Sequence, residues 1–125
     1  LMALGATRAS GAELVLELTG FAEQLAGADL CLTAEGQVDR GSAAGKAVSA
    51  VLAACRTAGV PCVVLGGAVP ADASALYELG AAGVLAIGRA PRPLPDALAD
   101  TAADLRRTAR AVCAIRSAGR PGATA

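Results

Sequence analysis

The sequence contains no histidine and no tryptophan, and only one tyrosine and one phenylalanine in 125 residues. Without histidine there is no Ser-His-Asp triad and no imidazole general base. Aromatic residues at 2% leave no platform on which single-stranded nucleic acid could stack. Net charge is missing as well. Eleven basic residues stand against 11 acidic ones, so the basic excess of a duplex-binding surface is absent. Nucleic acid is therefore not expected as a partner. The longest apolar run, "AGVPCVVLGGAV", is too short and too interrupted to span a bilayer. No leader-like segment opens the chain, so the reading is a cytoplasmic protein without a membrane partner. There is no C-x-x-C pair, and zinc spacing is missing with it. The four cysteines, Cys31, Cys55, Cys62 and Cys113, are expected to be small, buried, reduced thiols.

What is present is an apolar chain with one polar knot. The apolar fraction is 54%, enough for one core in one domain. Three short apolar runs, Asp29 to Thr33, Pro61 to Gly66 and Gly83 to Ile87, read as strands covered on both faces. Between the first two, "KAVSAVLAACRTAG" carries Val48, Val51, Leu52 and Cys55 on one helical stripe and ends at Gly59, a C-cap. The next helix lies in "PADASALYELGAAG", capped by Asp72 or Ser74 and ended by Gly80. After a Pro-punctuated loop comes a long helix from about Asp96 to Ser117. Leu98, Ala102, Leu105, Ala109 and Val112 form its apolar face, and Arg106, Arg107 and Arg110 a solvated one. Alternating strands and helices predict an α/β fold, a parallel sheet with crossover helices of Rossmann or flavodoxin-like type. The closing "GRPGATA" reads as a flexible tail over 119–125. "LMALGA" begins in mid-helix character without a cap. The expectation is the C-terminal portion of a longer protein.

The polar knot is "LCLTAEGQVDRGSAAGK", from Leu30 to Lys46, a strand running into a helix. In open α/β sheets, ligands bind beyond the carboxyl ends of strands, where this segment falls. Lys46 lies at or near the first turn of the helix, where the dipole disfavours a cation by about 0.3–1 kcal/mol. A bound anion would reverse that cost, because helix N-termini present free N–H groups to phosphate. Gly41 and Gly45 allow close approach of the backbone, and Ser42 offers a hydroxyl. The segment is not a P-loop: "GSAAGKA" has three residues between its glycines and Ala47 after the lysine. Glu35 and Asp39 could hold Mg²⁺, or one could take a proton from an attacking hydroxyl, or both could cap backbone N–H groups. Gly66 and Gly67, and Gly88 with Arg89, could line the same crevice or form ordinary βα turns.

"ADLCLTAEGQVDRGSAAGKAVSAVLAAC", Ala28 to Cys55, resembles the C-terminal signature of bacterial type-1 glycerate kinases. The flanking "GAELVLELTGFAEQLAGADL", the strand "VPCVVLGGAV" and the closing helix resemble that family too. The likeness spans nearly the whole chain. Thr33, Glu35, Gly36, Asp39, Gly45 and Lys46 keep the family's residue, and Ser42 replaces a threonine while keeping the hydroxyl. Ala34 stands where glycine is usual, Gly41 where glutamine is common, and Val48 where proline is usual, the last expected to be structural.

The resemblance implies ATP-dependent phosphorylation of glycerate to phosphoglycerate with Mg²⁺. It also implies a two-domain kinase whose α/β domain is interrupted by a second domain, with the active site in the cleft between them. Residues 1–118 would be the closing part of that α/β domain, a fragment expected to be inactive without the missing N-terminal part of the enzyme. Glu35, Asp39 and Lys46 are the implied catalytic residues, with Asp39 as metal ligand. Thr33, Gly36, Ser42 and Gly45 would bind substrate or phosphate. The alternatives are a non-catalytic α/β module that binds a small anion or nucleotide, and an inactive remnant.

Overall fold

The structure, a computed structural model, describes residues 10–38, 47–69 and 73–119. In chain order the elements are α1 (Gly11–Leu18), α2 (Phe21–Leu25), β1 (Cys31–Gln37), α3 (Ala47–Ala58), β2 (Cys62–Ala68), α4 (Ala75–Glu78), β3 (Ala81–Ala86), α5 (Leu94–Ala99) and α6 (Thr101–Ala118). The three strands form one parallel sheet in the order β1-β2-β3. The α/β class expected from the alternation is therefore what the chain adopts.

Successive residues of a strand face opposite sides, and the two sides of β2 carry two cores. Cys62 and Val64 pack toward α3, whose Val48, Leu52 and Cys55 are buried at the predicted helical spacing. Leu76 of α4 and Leu25 of α2 complete this core. Val48, which stands where the related signature has proline, is thus a core residue. On the other side, Val63 and Leu65 pack with Ile87 against Leu105, Ala109 and Val112 of α6. Helices thus flank both faces, and β2, central in the sheet, is buried from Cys62 to Gly66.

Gly59 ends α3 as expected. It takes φ +69°, and Val60 N–H reaches the Cys55 carbonyl at 2.9 Å while Gly59 N–H reaches Arg56 at 3.2 Å, a Schellman closure. Gly80 likewise takes a positive φ, at 104°, behind α4.

The first strand does not stop at Thr33. It continues through Glu35, opposite Gly66, to Gln37, opposite Ala68. Polar side chains remain in the ladder there because β2 offers glycines. A Cβ on Gly67 would lie 2.5 Å from the carbonyl oxygen of Gly36, so the two backbones meet where no side chain fits. The long final helix is two helices, broken at Asp100, which ends α5 and stands at the N-terminus of α6 without a side-chain cap. The first of these begins ahead of Asp96, because Pro95 occupies its opening turn, where a missing N–H costs nothing. Leu98 and Ala102 are exposed, so the apolar face narrows to Leu105, Ala109 and Val112. Arg107 is only partly exposed and is engaged in the contacts described below. Ser74 makes no side-chain cap, and Asp72 lies outside the described residues. Cys113 is exposed, whereas Cys55 and Cys62 are buried and Cys31 half-buried. No helix among the described residues is long and apolar enough to cross a membrane.

Candidate functional site

The polar segment is anchored at both ends. Val38, directly after β1, is fully buried, and its N–H donates to the Ala68 carbonyl at 2.9 Å. Val48, in the first turn of α3, is buried in the same core. The Val38 side chain also accounts for Gly66. A Cβ there would lie 2.8 Å from Val38 Cγ2 and 2.7 Å from Val69 Cγ2. Two buried valines thus hold the two ends of the stretch that carries Asp39, Ser42, Gly45 and Lys46. Those four residues, with Gly41, lie outside the described residues.

Beside this anchor, at the carboxyl ends of the strands, is a cavity of about 380 Å³, within the usual size of a small-molecule site. Its walls come from the ends of β1 and β2, from Ile87 and Gly88 behind β3, and from α5 and α6. Of the signature residues that are described, Glu35 and Gly36 border it and Thr33 does not. Thr33 is half-buried and faces the α3 side with Val64. Ala34 borders the cavity from a regular strand position opposite Leu65, so its methyl adds to the wall without bending the backbone. Gly67 and Gly88, each read as either crevice or turn, both line the cavity, whereas Gly66 is a packing position.

The far wall holds a charged group that the sequence reading passed over. Asp104 is 1% exposed, the only buried charged residue among those described. One carboxylate oxygen accepts from Arg92 and the other from Arg107. Arg89 approaches the second of these at 3.6 Å, and Arg92 also donates to Asp100 at 2.7 Å. Hydrogen bonding from Arg107 above all, and then the Arg92 guanidinium, hold the Asp104 carboxyl below its ordinary pKa, against the opposing effect of burial. Arg92 and Asp104 both contribute wall to the cavity, as does Glu35, and with Arg89, Arg107 and Asp100 counted the positive and negative charges balance. A signal for this group was present in the spacing. Arg92, Asp96, Asp100 and Asp104 recur at every fourth residue, although Arg92 precedes α5 and Asp100 separates α5 from α6.

The model of the glycerate kinase family matches residues 1–117. An uncharacterized protein of Mycobacterium tuberculosis is 41% identical over 114 residues, covering 91% of this chain and 30% of its own length. Proteins named glycerate kinase from Bacillus cereus and Bacillus subtilis are each 33% identical, over 105 and 104 residues, covering 84% and 83% of this chain. The aligned part is 28% and 27% of those two proteins, so the chain spans less than a third of the length of these relatives.

Proposed function

Because this chain belongs to the glycerate kinase family, we propose that it supplies the β1–α3 junction of a cytoplasmic enzyme that phosphorylates glycerate at the expense of ATP. The rest of the cleft would come from the preceding part of the same enzyme. The observation that carries the reading is that Glu35 and Gly36 of the signature border the cavity at the carboxyl ends of the strands.

In this reading the glycerate hydroxyl oxygen forms a bond to the γ-phosphorus, the bond from that phosphorus to the ADP oxygen breaks, and the hydroxyl proton passes to a carboxylate. Glu35 and Asp39 divide proton acceptance and metal binding between them, Asp39 being the metal ligand. The donor set fits Mg²⁺, a hard cation that takes carboxylate oxygens. Asp104 is not a candidate for it, since guanidinium groups occupy both of its oxygens. Mg²⁺, when bound, offsets the phosphate charge. Lys46 neutralises phosphate or the glycerate carboxylate beside the start of α3, with the Ser42 hydroxyl and the Gly45 backbone supporting it. Thr33 would support the strand end rather than touch the cavity.

The test is ADP release from ATP and Mg²⁺ by the intact protein, with and without glycerate. Glycerate-dependent release supports the kinase. ATP binding without such release would instead assign a non-catalytic nucleotide- or anion-binding module, and neither binding nor release would leave an inactive remnant.

A further inference from the structure

Three of the four cysteines, scattered in sequence at 31, 55 and 62, meet in the fold. The Sγ atoms of Cys31, Cys55 and Cys62 all lie within 4.8 Å of one another. Cys31 and Cys62 are register partners at the starts of β1 and β2, and Cys55 reaches them from the last turn of α3. Glu35 and Gly66 lie four residues further along the same strands, which at about 3.3 Å per residue separates the cluster from the cavity end by about 13 Å. The thiols belong to no part of the proposed kinase chemistry.

We propose that Cys31, Cys55 and Cys62 form a binding site for a trivalent thiophilic metalloid, arsenic(III) or its congener antimony(III), held as a neutral trithiolate. Sulfur ligands select soft ions. Trivalent arsenic keeps a lone pair and is pyramidal, so bonds of about 2.3 Å place its sulfurs about 3.4 Å apart, and the three side chains must draw in from the 4.8 Å within which they now lie. Charge decides which soft ion. Cys55 and Cys62 are each 1% exposed, among apolar side chains. Burial foremost, with the neighbouring Cys31, pushes the Cys55 thiol up to about 11. Burial and the two adjacent cysteines push Cys62 up further. Three thiolates around a divalent ion would leave a net negative charge in this core, and around a monovalent ion two. A trivalent centre leaves none.

The condensation is balanced without a redox partner. Arsenous acid, As(OH)₃, reacts with three thiols: three As–O and three S–H bonds break, three As–S bonds form, and three waters leave. Arsenic stays trivalent throughout. Cys31, half-buried, offers the way in from solvent.

The experiment treats the reduced intact protein with arsenite without air, then alkylates and maps the cysteines by mass spectrometry. Expected are an intact-mass gain of one arsenic less three hydrogens, and protection of Cys31, Cys55 and Cys62 while Cys113 is alkylated. Arsenite should also raise the Tm, by joining α3 to two strands. Cys113→Ala should leave the adduct intact. Cys31→Ala and Cys55→Ala should each lose it, the first at a position buried least and the second at a helical position that alanine suits, so that at least one variant stays folded. No adduct, an adduct that includes Cys113, or displacement of arsenite by equimolar Zn²⁺ would overturn the assignment.

Discussion

Arg107 on α6 donates a hydrogen bond of 2.6 Å from Nη2 to the carbonyl oxygen of Ile87, the residue that follows β3. Its other terminal nitrogen donates to Asp104 on the preceding turn of the same helix. One guanidinium therefore ties the end of the sheet to the helix that closes the cavity. A planar fork can serve two acceptors in this way and an ammonium cannot. Arg107→Ala is expected to lower unfolding free energy by about 1.5–3 kcal/mol, and Arg107→Lys to recover only part of it. Denaturant titration of both variants checks this. Equal stability of Arg107→Lys and the unmutated protein would contradict it.

The same cluster makes a prediction about acid. The Asp104 carboxyl is held below its ordinary pKa by Arg107 and Arg92, while the arginines stay protonated throughout. The unfolded chain therefore binds the proton more readily than the folded one. Stability from this group is present above about pH 3.9, the unfolded value for aspartate, and drains away as pH falls through the lower folded value. Asp104→Asn should reduce stability at neutral pH and flatten the loss below pH 4, since the titrating group is gone. Denaturant midpoints measured from pH 7 down to pH 2 test both parts.

Gly67 makes a third. A Cβ there would sit 2.5 Å from the Gly36 carbonyl oxygen, a backbone atom that has no rotamer to move out of the way. Gly67→Ala should push β1 and β2 apart at the cavity and cost about 1–3 kcal/mol. Gly88 borders the same cavity with nothing within 4 Å of an added Cβ, so Gly88→Ala should be far milder. Equal costs at the two positions would refute the packing account.

Why some of this was legible in the sequence follows from the kind of signal each element carries. The stripe of Val48, Leu52 and Cys55 announced α3 and its buried face, and Gly59 its end, because both are local. β1 was read too short because apolarity was taken as its measure, whereas Glu35, Gly36 and Gln37 stay in the strand through a backbone contact with glycines about thirty residues away. The cysteine cluster escaped for the same reason, since Cys31, Cys55 and Cys62 meet only when β1 and β2 pair and α3 packs on them. The Asp104 group is local, between Arg89 and Arg107, and escaped because its arginines resembled a solvated face. Arg107 looked solvated in a helix rich in arginine, since its partner Ile87 O is backbone and leaves no trace in side-chain pattern. For the site itself, the signature gave the residue types, while the fold sorted Glu35 and Gly36 onto the cavity and Thr33 away from it.

The most direct test of the central claim, that the β1–α3 junction handles phosphate, is Lys46→Ala in the intact protein, with kcat and Tm measured together. The account predicts that kcat falls by about 10²-fold or more, the usual cost of removing a charge-stabilising group, while Tm stays within a few degrees. A kcat close to that of the unmutated protein, with Tm collapsing, would contradict it and make Lys46 a structural residue.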